Sequence, residues 1–548
     1  MILTAAKNCG GFSVLRIDFF AYCAYNGFSI KVKKARYFLM KKNFNEPNWK
    51  AYIPKPVCEE HPEYEEFYTR TWEIAHDHIR NIPGMPQNPY MDEAFCDTQI
   101  WIWDTCFMSF FCKFAREVFP GVETFNNFYH VLYGGGELPK IIPSPNEPWW
   151  TYVTHGVPNP IYIHIADNPP LFAWGEYENA MFSGDIDYIK DLLYNRQYLQ
   201  KHYEWFESLK EPVQPKGVFL NTCLVREELG YRWEGGRSGM DNTPRGRTVV
   251  GEPKDRPEDP NLLWIDAICQ QALCANIISR MYEMVGDSAA SAEWKKKFDA
   301  KKDIVNRYYW DDEEGFYYDI DVRDNSLRKV MTVASFWTLT AGIADREKAE
   351  RMAKWVNDPE TLGGDVPLLS LARNDGDYKP DGRYWRGSLW LPTAYAALKG
   401  LSKYGYHKET HEAGHKIFRH MLRTYQEYEP HTVWECYCPE ECKPGMNVKG
   451  TQTVRKDFCG WSALGPIAVY LEYVLGFHSV NAFEKVVEWE KPNSFKGEIG
   501  VKNLRFGDIV TDITANQNSC TVISNAPYTL KICGAPFEIK VGENHIEL

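Results

Sequence analysis

Two carboxylates stand out by their surroundings. Asp241 lies in Trp233-Glu234-Gly235-Gly236-Arg237-Ser238-Gly239-Met240-Asp241-Asn242-Thr243-Pro244-Arg245, a glycine-rich loop with arginines nearby and a proline closing it. Roughly 190 residues further on, Glu435 sits in Val433-Trp434-Glu435-Cys436-Tyr437, again beside tryptophan. Hydrolysis of a sugar acetal needs two carboxyl groups on separate loops in aromatic settings. One protonates the leaving oxygen and the other activates water or attacks. The competing reading makes Asp241 a helix cap and Glu435 part of a surface salt bridge, and spacing alone leaves both open.

Such groups need a scaffold that brings distant loops together. From residue 61 to 476 apolar residues recur at helical spacing in 64–82, 99–119, 124–133, 169–183, 185–209, 261–285, 288–309, 332–341, 345–355, 387–404, 408–428 and 460–476. Short links, such as Gly286-Asp287 between two of these segments, favour antiparallel pairs. Six such pairs make two concentric rings, with inner helices apolar on nearly all sides, as Trp101 to Phe111 would be. The long loops 134–168, 209–260, 357–386 and 429–459 would gather at one end and roof a pocket. The expectation is a mainly α protein: a strand-rich extension over 1–60 with a linker at 43–56, a helical catalytic domain over 61–476, and a small antiparallel β module over 477–548.

Bulk composition narrows the partners. The chain has 548 residues, 44% hydrophobic and 25% charged, as in a soluble globular protein. A net charge of -12 argues against a nucleic-acid partner, which calls for a basic face. No apolar run is long enough to span a membrane, and Lys7, Arg16 and Asp18 interrupt the weakly apolar start, so no signal peptide is read. The 15 scattered cysteines, without a CxxC pair, fit reduced thiols and a cytoplasmic location. Cys436, Cys438 and Cys442 with His431 are a weak metal pattern, so no metal or other cofactor is expected. The 19 Trp and 33 Tyr suit stacking on sugar rings, and equally a large aromatic core.

Five stretches taken together resemble glycoside hydrolase family 63, especially its mannosylglycerate hydrolase-like branch, and more distantly trehalase. They are Trp101-Ile102-Trp103-Asp104-Thr105, Asp167-Asn168-Pro169-Pro170-Leu171, Ser238-Gly239-Met240-Asp241-Asn242-Thr243-Pro244, Tyr384-Trp385-Arg386-Gly387-Ser388-Leu389-Trp390-Leu391-Pro392, and Trp434-Glu435-Cys436-Tyr437 with Gly460-Trp461-Ser462. The resemblance implies an (α/α)6 barrel and an inverting mechanism, with Asp241 as general acid and Glu435 as general base. It also implies that Asp104 accepts hydrogen bonds from sugar hydroxyls and that Trp103, Asn168, Trp385, Trp390 and Trp461 line the pocket. Arg386 would bind the sugar or orient Glu435. Inversion asks for roughly 6.5–9.5 Å between the two carboxyl groups.

One departure matters. Additional residues separate Glu234 from Ser238, and Arg237 could stand where the family carries a glutamate. An arginine against Asp241 would lower its pKa, the wrong direction for an acid. The expected activity is exo-acting hydrolysis of a small α-glucoside or α-mannoside, a disaccharide or glycosyl-glycerate, with Arg237, Arg245, Arg247 and Arg386 available to an anionic aglycone. Alternatives are a sugar epimerase using paired histidines, for which His164 and His431 are the nearest, and a carbohydrate-binding protein without catalysis. Asp266 reads as structural, and Glu176 as polar surface.

Overall fold

The computed structural model describes residues 42–95, 98–130, 136–145, 167–212, 223–252 and 254–548. The part of the expected N-terminal extension before residue 42, and His164, lie outside these residues.

Hydrophobic patterning separates two kinds of helix. Every residue of α2 (Ile102–Cys112) is buried, and α4 (Phe172–Ser183) and α6 (Ile265–Met284) are nearly as apolar all round. By contrast α7 (Ser288–Tyr308) buries only Trp294, Phe298, Lys301 and Val305, one narrow stripe at helical spacing, and lays it on α6. α1 (Pro62–Asp77), α3 (Phe125–His130), α5 (Tyr198–Ser208), α9 (Arg346–Lys354) and α11 (His407–Glu427) carry the more polar faces.

The buried helices pack in sequence. α2 contacts α4, α4 contacts α6, α6 contacts α8 (Trp337–Ala341), and α8 contacts α10 (Leu391–Lys403). α10 in turn meets α12 (Cys459–Ser462) and the π-helical stretch Leu464–Val474 that continues it, and both return to α2. Three of these helices start alike. Trp101, Trp264 and Trp390 each hold an extended backbone immediately before α2, α6 and α10. The segment expected as one helix over 185–209 is instead broken at Gln197, whose φ of 56° ends one helical stretch before α5 begins.

The C-terminal residues form two sheets. In the first, strands β1 (Lys55–Cys58), β4 (Ile499–Phe506), β5 (Ile509–Ala515), β6 (Ser519–Ser524) and β9 (Gly542–Glu547) lie in that order. The second runs β2 (Ser479–Asn481), β3 (Val486–Trp489), β7 (Tyr528–Ile532), β8 (Ala535–Ile539), and its β3–β7 pair is parallel, where the module was expected to be antiparallel throughout. Tyr528 joins them, its ring against Phe506 and its hydroxyl 3.1 Å from that of Thr511. The stretch 43–56, read as a linker, thus supplies part of an edge strand. Pro56 is tolerated there because an edge position spares it one side of hydrogen bonding.

Candidate active site

Asp241 sits on a long excursion between two short strands, Tyr231–Arg232 and Leu262–Leu263, which pair with each other and close the loop at its base. Within it, Gly235–Ser238 makes one helical turn that ends on Gly239 in a left-handed conformation, φ 88°. Glycine is required twice over, because a Cβ there would lie 2.3 Å from the Trp103 ring. Trp103 therefore acts as the plate on which the Ser238-Gly239-Met240-Asp241 turn rests.

Burial raises the Asp241 carboxyl above its ordinary range. Lys140 and Arg256 oppose that rise, while the charge of Glu234 adds to it. Arg256 is the direct partner, at 3.3 Å, with its side chain 53% exposed and therefore well solvated. Arg237 is not the cation at Asp241. It donates to Asp167 at 2.8 Å and to Glu234 at 3.0 Å, so the departure seen in the sequence builds a loop anchor. Asp167 also accepts from the backbone N–H of Cys223 and Leu224, and its carbonyl accepts from the Trp233 indole.

Glu435 is held by backbone and aromatic groups. Its N–H donates to the Arg455 carbonyl at 2.9 Å, and Trp461 Nε1 donates to its carbonyl at 2.6 Å. The side chain accepts from the Tyr384 hydroxyl at 2.8 Å and from the Arg455 N–H at 3.2 Å. Burial pushes its pKa up and the charge of Asp241 adds to that, while Tyr384 and Arg455 pull it back. Each carboxylate thus lies within the other's electrostatic reach, and Tyr384, bonded to one, also feels Asp241. Tyr384 reaches this position through a backbone φ of 66°, an uncommon conformation for a tyrosine, fixed by its carbonyl accepting from Trp390 Nε1 at 2.9 Å.

Asp104, in the first turn of α2, is 4% exposed. Burial and the charge of Glu435 raise its pKa, against the pull of its own backbone N–H, Lys140 and Arg455. Glu93, fully buried, is raised by burial first and then by Asp104 and Asp92. Neighbouring carboxyls in so dry a place do not all ionise together.

Of the aromatic residues expected here, Trp385 and Trp390 stack at 4.1 Å, with Trp461 5.6 Å from Trp390. Trp390 is wholly buried, so it supports Tyr384 and Trp385 from behind, while Trp103 and Trp461 keep a little surface. Asn168 is buried just before α4. Arg386 is turned away from Glu435: it donates to the carbonyls of Asn242 and Lys254 and lies 3.6 Å from Asp377. Asn242 knits the two loops together, accepting from the Trp385 N–H and donating to the Arg383 carbonyl.

Other expectations are sorted by burial. Arg245 is a core residue bridging Asp266 and Asp319, and Arg247 pairs with Asp375 and Asp377. Glu176 is fully buried rather than polar surface, accepting from Tyr129 and Tyr188. The thiols of Cys438 and Cys442 face Pro380 and His420, and His431 turns to Tyr425 and Glu429. Among the described residues the cluster with metal-ligand spacing is His407, His478 and Glu490, outside this site. The groups that sequence reading passed over are Tyr384, Arg455, Lys140, Arg256 and Glu93. Tyr384 stood inside a quoted motif; the other four carry no local signal.

The family described as the mannosylglycerate hydrolase MGH1-like glycoside hydrolase domain matches residues 101–445. The cytosolic neutral trehalase of Kluyveromyces lactis is 27% identical over 36% of this chain and 26% of its own length. The mannosyl-oligosaccharide glucosidase of Saccharomyces cerevisiae is 25% identical over 48% of this chain and 33% of its own. This chain therefore spans a third or less of either relative. A crystal structure of the glycoside hydrolase family 63 mannosylglycerate hydrolase of Thermus thermophilus in complex with glucose has a TM-score of 0.54. It is 17% identical, covering 73% of this chain and 99% of that one, a likeness of fold. The same enzyme has also been solved with Tris and D-glycerate.

Proposed function

The chain belongs to the mannosylglycerate hydrolase MGH1-like glycoside hydrolase family, and on that premise we propose that it is an inverting, exo-acting hydrolase of small α-glucosides or α-mannosides, glycosyl-glycerates included. The supporting observation is the carboxylate pair itself. Asp241 and Glu435 come from distant loops, both are raised by burial, and the charge of Asp241 raises Glu435 further. Such a pair favours a single proton. Glu435 receives two direct hydrogen bonds that stabilise its anion, whereas Asp241 has one solvated ion-pair partner. The proton therefore belongs to Asp241, which delivers it to the glycosidic oxygen while Glu435 deprotonates the attacking water.

The packing sequence from α2 round to the π-helical stretch and back supports an (α/α)6 barrel as the scaffold. Asp104 is the group for the hydroxyls of the sugar being cleaved, with Trp103, Asn168, Trp385 and Trp461 around it. The arginines first considered for an anionic aglycone are engaged elsewhere, so Lys140, Arg256 and Arg455 take over that part. No described helix is long and apolar enough to cross a membrane, and all cysteines among the described residues are free thiols, which supports a cytoplasmic setting.

The test is a panel of α-mannosyl-glycerate, α-glucosyl-glycerate, trehalose and other α-linked disaccharides, followed by NMR during the first minutes. Release of the cleaved sugar as its β-anomer from the glycosyl-glycerates, and of equal α- and β-glucose from trehalose, supports the proposal. Initial release of the cleaved sugar as its α-anomer alone, or no release from any member, would overturn it.

A further inference from the structure

The helices whose first turns approach Asp241 and Glu435 enclose, at their other ends, a cavity of about 580 Å³. Its carboxylates are neutralised. Glu178 accepts from Lys113 at 2.9 Å and Lys399 at 3.2 Å, Glu472 lies 2.7 Å from Lys113, and Glu488 is 2.8 Å from Lys531. Three cations in its lining are left over. Among the described residues no carboxylate comes within ion-pair distance of Arg280, Arg346 or Lys403, although all three line the cavity. Arg280 lies over the Tyr177 ring at 4.8 Å, and Lys403 donates to the Thr340 carbonyl at 3.2 Å. Burial, then Arg280 and Lys302, bring Lys403 down to about 8, against the more distant charge of Glu178.

Helix dipoles do not account for this surplus. Lys403 ends α10, where a cation is favoured, but Arg346 is the first residue of α9, where it is not. In a chain of net charge -12, a cavity with unpaired cations is an exception to the general field. Trp174, Asn276 and Ser402 add an aromatic face and polar donors to its lining, and the volume lies within the usual range for small-ligand sites.

We propose that this cavity binds a phosphorylated monosaccharide, with Arg280, Arg346 and Lys403 on the phosphate and the Trp174–Tyr177 side against the sugar. The inference is independent of the hydrolase assignment, since it uses none of the residues around Asp241.

Isothermal titration of the full chain with glucose 6-phosphate, inorganic phosphate and glucose tests it. The ester should bind at low salt, at least about tenfold tighter than either part alone, and weaken several-fold as salt rises. The double variant Arg280→Gln/Lys403→Gln should lose at least about tenfold in that affinity, and Arg346→Gln alone several-fold, with glycoside turnover unchanged. Asp241→Asn should keep the binding, which separates this site from the other. Absence of ester binding, affinity unchanged in Arg346→Gln and the double variant alike, or loss of binding in Asp241→Asn would each overturn the proposal. Binding of inorganic phosphate as tight as that of the ester would overturn its sugar component.

Discussion

The N-terminal and C-terminal ends of the same buried helices treat carboxylates in opposite ways. Around Asp241, Glu435 and Asp104 burial wins: the acids are raised, and their cations are solvated or held off by other contacts. At the far end Glu178 is also largely removed from water, yet Lys113 and Lys399 hold it down at about 2. The connections differ in the same sense. Long loops lead into the helix starts, while α10 and α11 are joined at the other end by Tyr404, Gly405 and Tyr406 alone. A carboxylate in a dry place is chemically poised when its counter-charge is withheld and structurally locked when it is supplied.

Substitutions at the two ends should therefore fail differently. Asp241→Asn and Glu435→Gln should each lower turnover by about 10²–10⁴-fold, with thermal unfolding nearly unchanged. A stability loss that matched the activity loss would erase the distinction. Lys113→Met, at the other end, leaves Glu178 and Glu472 short of a cation and should cost about 3–5 kcal/mol of stability, while turnover per folded molecule stays near normal. Its pH signature has a definite sign. A carboxylate held at about 2 in the folded state adds stability above its ordinary pKa and loses it as pH falls toward 2. Acid unfolding of the variant should accordingly be less steep than that of the parent.

How legible this was from the sequence depended on locality. The buried helices declared themselves, because Trp101 to Phe111 is apolar on every side and Trp294, Phe298 and Val305 mark a single stripe. The β module expected over 477–548 is present, and the alternation of Ile499–Phe506 shows in its burial pattern. Readings failed where an interaction partner was remote. Arg237 beside Asp241 in the sequence suggested an ion pair, but Asp167, far away in the chain, claims it. Glu176 resembled surface because Tyr129 and Tyr188, which satisfy it, lie on other elements. Lys140 and Arg455 influence the site through folds of the chain that no local spacing encodes. Gln197 broke an expected helix by adopting a left-handed conformation that glutamine seldom takes.

Glu176, midway along α4, offers a control that belongs to neither end. Burial raises it to about 7, against hydrogen bonds from Tyr188 and Tyr129. Folding then favours its protonated form, so its contribution is fully present below the ordinary glutamate pKa and is lost as pH rises through 7. Glu176→Gln should gain about 2 kcal/mol on the parent between pH 5 and pH 8, read by denaturant unfolding at both values. A gain independent of pH would mean that Glu176 is ionised throughout.

The smallest expected effect is the most informative about how the catalytic end works. Tyr384→Phe removes one hydrogen bond to the Glu435 anion and leaves the aromatic contact with Trp390 in place. That bond lowers the Glu435 pKa, so its loss must raise it, and the acid limb of the kcat/KM profile should move to higher pH by up to about one unit. Turnover at the alkaline side of the optimum should fall only a few-fold, because Arg455 still donates to Glu435. If the acid limb stayed in place while turnover fell at every pH, Tyr384 would be acting on the sugar and not on Glu435. The base would then owe its ionisation to Arg455 alone, and the contrast between the two ends would rest on one backbone N–H and one guanidinium.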